Sequence, residues 1–375
     1  MLLWHLPMAE PTAVPPSLFT RAHAPPRLQR DAAAGSAVFA ALDLGTNNCR
    51  LLVGRPTGRG FAVLDSFSRT IRLGEGLEQT GRLDPSAMNR AVSALAACAE
   101  RLARWRPAAV AAVATEACRR AANGVEFLAR VHRETGLAIL VISPREEALL
   151  AIESCTSLLA RAAAATAAAA APTRALLFDI GGGSTELAWL RLDQAGRPSL
   201  IGCASLPVGV VTLAERHGAA AFAASGFVAM SAETALLLAP FEAVHCIARE
   251  IRHAGGSGGV LLLGTSGTAT TLAAIALGLP RYRRSLVDGA VLTRDAACAA
   301  LAALQGLGHG GLLAHPCIGP DRAIFVRPGA AIFAAIIAAW PAPRIMVADR
   351  GLREGLLLRA IRTHREPRAG PTRAP

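Results

Sequence analysis

Asp43-Leu44-Gly45-Thr46-Asn47 and Asp179-Ile180-Gly181-Gly182-Gly183-Ser184-Thr185 are two renderings of one loop, 136 residues apart. Each follows a short apolar run, Val38 to Leu42 and Ala175 to Phe178, that reads as a buried strand. Each is followed by a second apolar stretch, Leu51-Leu52-Val53 and Leu187-Ala188-Trp189-Leu190. Strand, polar glycine turn, strand is a hairpin whose tip presents backbone N–H groups and carries a carboxylate at its mouth. Such a tip can cradle a phosphate through its amides while the aspartate holds, directly or through water, the cation that neutralises it. One Asp-x-Gly is a common turn and decides nothing. Its repetition on matching strand pairs points to duplicated halves facing each other across a phosphate-binding cleft.

Composition allows this architecture. At 375 residues the chain has room for two domains, and 52% hydrophobic with 18% charged residues exclude a disordered chain. The net charge of +12 invites a polyanion partner. The sequence has no lysine, however, and all 39 basic residues are arginine, so with alanine this abundant a coding bias is the simpler cause. Only arginines near the loops therefore count toward function, and no nucleic-acid partner is expected. The eight cysteines, at 49, 98, 118, 155, 203, 246, 298 and 317, show neither Cys-x-x-Cys nor zinc spacing and read as thiols in a reducing compartment. No apolar run reads as long and uncharged enough to cross a bilayer, the stretch 162–171 being alanine-rich and too short. The apolar start, 1–7, lacks the basic segment of a secretory signal. A cytoplasmic protein without a membrane partner is expected, with Met8 an alternative start.

Along the chain, α and β patterns alternate. Residues 1–36, rich in Pro, Ala and Arg, are expected to be a disordered extension, and 363–375 a disordered basic tail. A first α/β half is expected over 37–144 and a second over 145–350, with a last helix, 352–362, packing back on the first half. Helical spacing runs from Pro85 to Arg104 behind the N-cap Asp84, over 124–135, and over 146–159 behind Ser143-Pro144. Strands are expected at 109–114, 138–142 and 345–348, and the alanine-rich 161–172 reads as a variable connection. A third glycine turn, Gly264-Thr265-Ser266-Gly267-Thr268, follows the strand 259–263 and opens a helix, whose amides favour anions. In series with the other two loops it becomes a third wall of the cleft.

Taken in order, these segments resemble a known family. Ala41-Leu42-Asp43-Leu44-Gly45-Thr46-Asn47-Asn48-Cys49-Arg50-Leu51-Leu52 looks like the opening motif of the exopolyphosphatase/guanosine pentaphosphatase (Ppx/GppA) family. Arg72-Leu73-Gly74-Glu75-Gly76-Leu77, Ala114-Thr115-Glu116-Ala117-Cys118-Arg119-Arg120-Ala121-Ala122-Asn123 and Ile142-Ser143-Pro144-Arg145-Glu146-Glu147-Ala148 follow. Then come 178–186, 264–268 and Asp349-Arg350-Gly351-Leu352-Arg353-Glu354-Gly355, so the resemblance covers roughly 38–362. It implies an α/β protein of two ribonuclease-H-like domains, of the actin/sugar-kinase/Hsp70 superfamily, around a central cleft.

Carried over residue by residue, the resemblance makes Glu147 the general base, a role that suits a carboxylate in a helix first turn beside the cleft. Glu146 lies on another helix face, so only one of the two should point inward. Asp179 and Glu186, seven residues apart across the hairpin, would hold Mg²⁺ or Mn²⁺, with Asp43 approaching the metal from the other half. Phosphate contacts would come from Asp43, Gly45, Asn48, Arg50, Arg119, Gly181, Gly182, Gly183 and Ser184, and from Gly264, Thr265, Ser266 and Gly267 in the third loop. A guanidinium offers phosphate a bidentate fork. Arg120, Arg69 and Arg72 read as solvated or structural. Two departures stand out: Pro144-Arg145 replaces a usual Gly-x pair before the base, and Asp349-Arg350-Gly351 replaces a usual Asp-Gly. The implied activity is release of terminal phosphate from inorganic polyphosphate, or from the 5′ end of guanosine pentaphosphate. A sugar-kinase-like phosphotransferase is the alternative from a different class. The expected partner is one of those phosphate chains, with a homodimer left open.

Overall fold

Phe39–Leu44 (β1) is buried along its whole length, as a central strand covered on both faces must be. Asn48–Thr57 (β2) and Gly60–Thr70 (β3) continue from it as an antiparallel meander. After Leu77–Thr80 (α1) and Pro85–Trp105 (α2), Ala109–Ala114 (β4) lies parallel to β1. Glu116–Arg120 (α3), Gly124–Thr135 (α4) and Leu140–Val141 (β5) complete a sheet in the order β3-β2-β1-β4-β5. The strand read at 138–142 shrinks to those two residues. Asp84 caps α2, accepting from Ser86 N at 2.8 Å and Ala87 N at 3.2 Å, with Pro85 in the first turn. In this computed structural model the described residues are 37–58, 60–165, 171–254 and 259–365. The expectations for 1–36, for 366–375 of the tail and for 166–170 of the alanine-rich connection lie outside them.

Pro144–Ala164 (α5) leads to the second half through a reciprocal cap. Ser143 Oγ accepts from Glu146 N at 3.2 Å, while the Glu146 carboxylate accepts from Ser143 N at 2.8 Å. The helix runs into the segment expected as a variable connection. Arg174–Ile180 (β6), Thr185–Leu192 (β7) and Pro198–Leu206 (β8) then repeat the meander. Val210–His217 (α6), Ala224–His245 (α7) and Ile247–His253 (α8) precede Val260–Thr265 (β9), which is parallel to β6. Ser266–Ala276 (α9), Arg284–Val287 (α10), Val291–Thr293 (β10), Arg294–Gly306 (α11), His309–Ala314 (α12), Pro320–Ala339 (α13) and Arg344–Val347 (β11) follow. The second sheet has the order β8-β7-β6-β9-β11-β10, which is the order of the first with one antiparallel edge strand added. Leu352–Arg365 (α14) closes the fold, so residues 363–365, expected in a disordered tail, form its last turn.

Four apolar clusters show how the layers stack. α2 and α4 cover one face of the first sheet, while α14 and Leu150 of α5 cover the other. Helices α6 to α13 supply the outer cluster of the second sheet, and α5 covers its inner face. α5 and α14 thus lie between the sheets, tied together by Glu153 to Arg359 at 3.1 Å and to Arg362 at 2.7 Å.

Two helices bear on the expectation that no long uncharged run crosses a bilayer. α7, with 22 residues, and α13, with 20, are long and apolar enough to cross a bilayer by length and composition. α13 is a core helix, with Ile332, Phe333 and Ile336 fully buried. α7 exposes Val228, Leu236 and Val244. Both carry charges along their length, Glu233 and Glu242 in α7 and Asp321, Arg322 and Arg327 in α13, so neither is a long uncharged run.

A polar bridge joins the two halves along one edge of the cleft. Gly76 N donates to Glu215 Oε1 at 2.9 Å, and Glu78 accepts from Arg216 of α6 at 2.9 Å and from Arg120 at 2.6 Å. Arg120, read as solvated or structural, is thus part of this bridge. Replacing both Glu78 and Glu215 by Gln weakens every one of these contacts. The double variant should show a larger radius of gyration by solution scattering than the wild type. Identical profiles would show that the bridge does not hold the cleft.

Candidate active site

The two hairpin tips are closed by the same hydrogen bond: Gly45 N donates to Asn48 O, and Gly181 N to Ser184 O, each at 2.9 Å. They meet face to face. A Cβ on Gly182 would stand 3.0 Å from Thr46 Cβ and 3.2 Å from Asn47 N, and one on Gly183 would stand 2.9 Å from Thr46 Oγ1. Only glycine permits that approach. A cavity of about 780 Å³ opens beside the contact, lined by Asp43, Gly45, Asn48, Arg50, Glu147, Asp179, Gly181, Gly182, Gly183, Ser184 and Glu186 among others.

Strand register decides what each tip presents. Asp43 lies directly opposite Arg50 on β2, whereas Asp179 lies directly opposite Glu186 on β7. The first tip therefore pairs an acid with a base, and the second sets two acids side by side on one face. Burial pushes Asp43 up to about 6, against the pull of Arg50 and Arg353. Burial, with the opposed Asp179, pushes Glu186 up to about 7, and burial likewise raises Asp179. Glu186 Oε1 accepts from Ser184 Oγ at 2.6 Å and from Ser205 Oγ at 3.0 Å.

The third loop differs from its reading. Gly264 and Thr265 are the buried end of β9 and do not line the cavity; a Cβ at 264 would meet the Phe178 ring at 2.7 Å. Thr265 instead sets its hydroxyl beside Asp179. The wall begins at Ser266 and Gly267. Ser266 has φ of 92°, a conformation that L residues rarely adopt, and its Oγ is buried without a partner. Asn47 Oδ1 and Thr271 Oγ1 are orphaned in the same way, and all three residues line the cavity. Buried polar atoms lacking partners at a cavity wall mark where a polar ligand completes the site.

Glu147, on the first turn of α5, faces this cavity while Glu146 turns back to cap the helix. Burial raises its proton affinity well above that of an ordinary carboxylate, the Glu186 charge adds to this, and Arg119 opposes it. Arg119, expected on the phosphate chain, is turned to protein acceptors: Ile142 O at 2.7 Å, Glu116 at 2.6 Å and Glu147 at 3.4 Å. Arg69, read as solvated or structural, lines the cavity. Arg72 holds a left-handed backbone position, φ 48°, beside the first tip. Arg350, where the Asp-Gly pattern is broken, binds Asp288 at 2.8 Å and Ser157 Oγ at 2.8 Å, tying the β10 turn to α5.

Arg322 was missed altogether. Its guanidinium donates to Gly267 O at 2.6 Å and lines the cavity, with no carboxylate in ion-pair reach among the described residues. Burial, reinforced by nearby Arg50, lowers its proton affinity, as for a cation awaiting an anion. Tyr282, whose hydroxyl donates to Asp349 Oδ2 at 2.7 Å, also lines this end. Nothing local in the sequence marks either residue.

Two ribonuclease-H-like halves closing acidic and arginine-bearing loops over one cleft define a phosphate-handling enzyme of the actin/sugar-kinase/Hsp70 type. The Ppx/GppA phosphatase family model matches residues 52–364, and the chain belongs to that family. Membership makes it a phosphatase. Among similar solved structures, an exopolyphosphatase-like protein is 27% identical with a TM-score of 0.74, over 88% of this chain and 99% of that one. The Aquifex aeolicus PPX-GPPA enzyme is 26% identical with a TM-score of 0.67, over 86% and 99%. An exopolyphosphatase from Cytophaga hutchinsonii, 21% identical with a TM-score of 0.72 over 87% and 98%, shares the fold.

Proposed function

We propose that the protein removes terminal orthophosphate from inorganic polyphosphate, with Glu147 as the base. The observation that carries this reading is the convergence, in one cavity, of two facing glycine tips, the opposed Asp179–Glu186 pair and Glu147. Tip amides and the guanidinium groups of Arg50 and Arg322 hold the chain's oxygens. Glu147 takes a proton from a water molecule as its oxygen attacks the terminal phosphorus. The bond from that phosphorus to the bridging oxygen breaks, orthophosphate leaves, and the chain, shorter by one unit, keeps the bridging oxygen. Substrate charge is matched by arginine, so positioning and electrostatics supply most of the rate.

The acids fit a hydrated hard cation, Mg²⁺ or Mn²⁺. Burial raises both carboxylates, and the Asp179 charge adds to the rise at Glu186, so a cation is needed for the two to ionise together. No cluster of three metal-ligating side chains is preformed among the described residues, which suits an ion that keeps waters and takes one or two carboxylates plus substrate phosphate. Asp179 and Glu186 would hold it, with Asp43 opposite; bound there, the ion would neutralise the chain and polarise the P–O bond. The eight cysteines are free thiols, which supports a cytoplasmic setting.

This charge balance has a pH signature. Asp43 and Glu186 are raised to about 6 and about 7 from 3.8 and 4.5, so the folded protein holds protons that the unfolded chain releases. Their contribution to stability is full below the lower values and is lost as pH rises through the higher ones. Cation binding favours the ionised form, so added Mg²⁺ should raise the melting temperature more at about pH 7.5 than at about pH 5. An equal rise at both would detach the ion from these groups.

A second reading has its own observation: Val210, Leu272, Leu304, Phe325 and Val326 line the same cavity, an apolar end that suits the guanosine of guanosine pentaphosphate. Phosphate release from long polyphosphate, short polyphosphate and guanosine pentaphosphate, each with Mg²⁺, tests both. Release from polyphosphate is expected. Release from the nucleotide alone would move the assignment to it, and release from none would overturn both.

A further inference from the structure

We propose that Glu116 is a positioning residue that holds Arg119 off the base, an inference that rests on the hydrolase reading above. Two acceptors on the first half anchor the Arg119 guanidinium. Nη2 donates to Glu116 Oε2 at 2.6 Å and Nη1 to Ile142 O at 2.7 Å. Glu116 starts α3 just after β4, and Ile142 follows β5, so both anchors stand just past the ends of neighbouring parallel strands of one sheet. Glu147 belongs to α5, and its Oε2 is left with a long contact of 3.4 Å to the same Nη1.

The arrangement matters because Arg119 and Glu147 are otherwise suited to close on each other. Both side chains are largely buried, where a charge-assisted pair is strong. A guanidinium seated squarely on Glu147 would occupy the oxygen that must receive the proton of the attacking water. Glu116, three residues before Arg119 on the same short helix, competes for that charge and wins by geometry. It also stands at the seam of the cleft: a Cβ on Gly183 would lie 3.1 Å from Glu116 Cγ, so the stem of Glu116 is packed against the second phosphate tip. Seating of that tip therefore restricts where Glu116, and through it Arg119, can point. Arg119 is thereby a group that acts on the base.

Steady-state phosphate release by Glu116→Gln, Arg119→Ala and the double variant tests this, with melting curves to establish folding. Glu116→Gln should lower kcat by about 10- to 100-fold, the scale of a misplaced catalytic group, with KM changed no more than about threefold. Arg119→Ala added to it should restore kcat to the level of Arg119→Ala alone, because the group that closes on Glu147 is gone. A merely structural Glu116 would show no such rescue. Glu116→Asp, which keeps the charge, should retain more activity than Glu116→Gln, and it carries the comparison if the glutamine variant does not fold. Unchanged kcat in Glu116→Gln, a loss confined to KM, or the same fold-loss with and without Arg119 would each overturn the inference. If the wild type releases phosphate and Glu147→Gln does not, those results overturn this inference alone; an inactive wild type overturns the hydrolase reading with it.

Discussion

Glu147→Gln should lower kcat by about 10²–10⁴-fold, the usual share of a general base, while leaving the fold and KM nearly unchanged. Glutamine has the volume of glutamate, so the packing of the first turn of α5 survives, and the reciprocal cap uses Glu146. What disappears is the proton acceptor. Burial and the Glu186 charge hold Glu147 well above the ordinary carboxylate range, which makes it a stronger base than a surface glutamate. The variant should melt no lower than the wild type, because it removes a charge that burial disfavours. Phosphate release at single-turnover substrate concentrations, read beside substrate binding, checks this. A variant that binds normally and turns over near the wild-type rate would remove Glu147 from the mechanism.

Asp179→Asn and Glu186→Gln should each raise the Mg²⁺ concentration for half-maximal activity by on the order of 10- to 100-fold. The two carboxylates lie directly across the β6–β7 pair, so each substitution deletes one of two anionic donors facing the same point. Their removal also relieves repulsion between like charges on opposite strands, which favours the folded state in the absence of metal. Weaker metal binding together with a higher metal-free melting temperature is therefore the expected signature. If both variants keep the wild-type Mg²⁺ titration, the ion binds elsewhere.

Features encoded over a few residues were legible in the chain. Asp84 before Pro85, and Ser143-Pro144 with Glu146, announce helix starts because capping needs only adjacent groups. The glycine tips were legible because a backbone approaching another backbone cannot tolerate a Cβ. The third loop was misplaced by two residues because a strand end and a turn share the same small, polar composition. Of the partners of Arg119, Glu116 is a local neighbour three residues away on α3, whereas Ile142 and Glu147 come from distant parts of the chain and were beyond reading.

By itself, then, the sequence determined the duplicated hairpins, the acids at their mouths and the family they belong to, because periodicity, capping and turn chemistry act between near neighbours. Only the tertiary structure decided that Arg50 faces Asp43, that Arg322 arrives from α13 to Gly267, and that Ile142 and Glu147 reach Arg119. Those relations depend on strand register and on helices brought together across many residues of chain. They are selected by burial of whole faces and by charge balance inside the cleft, which no local stretch of residues specifies.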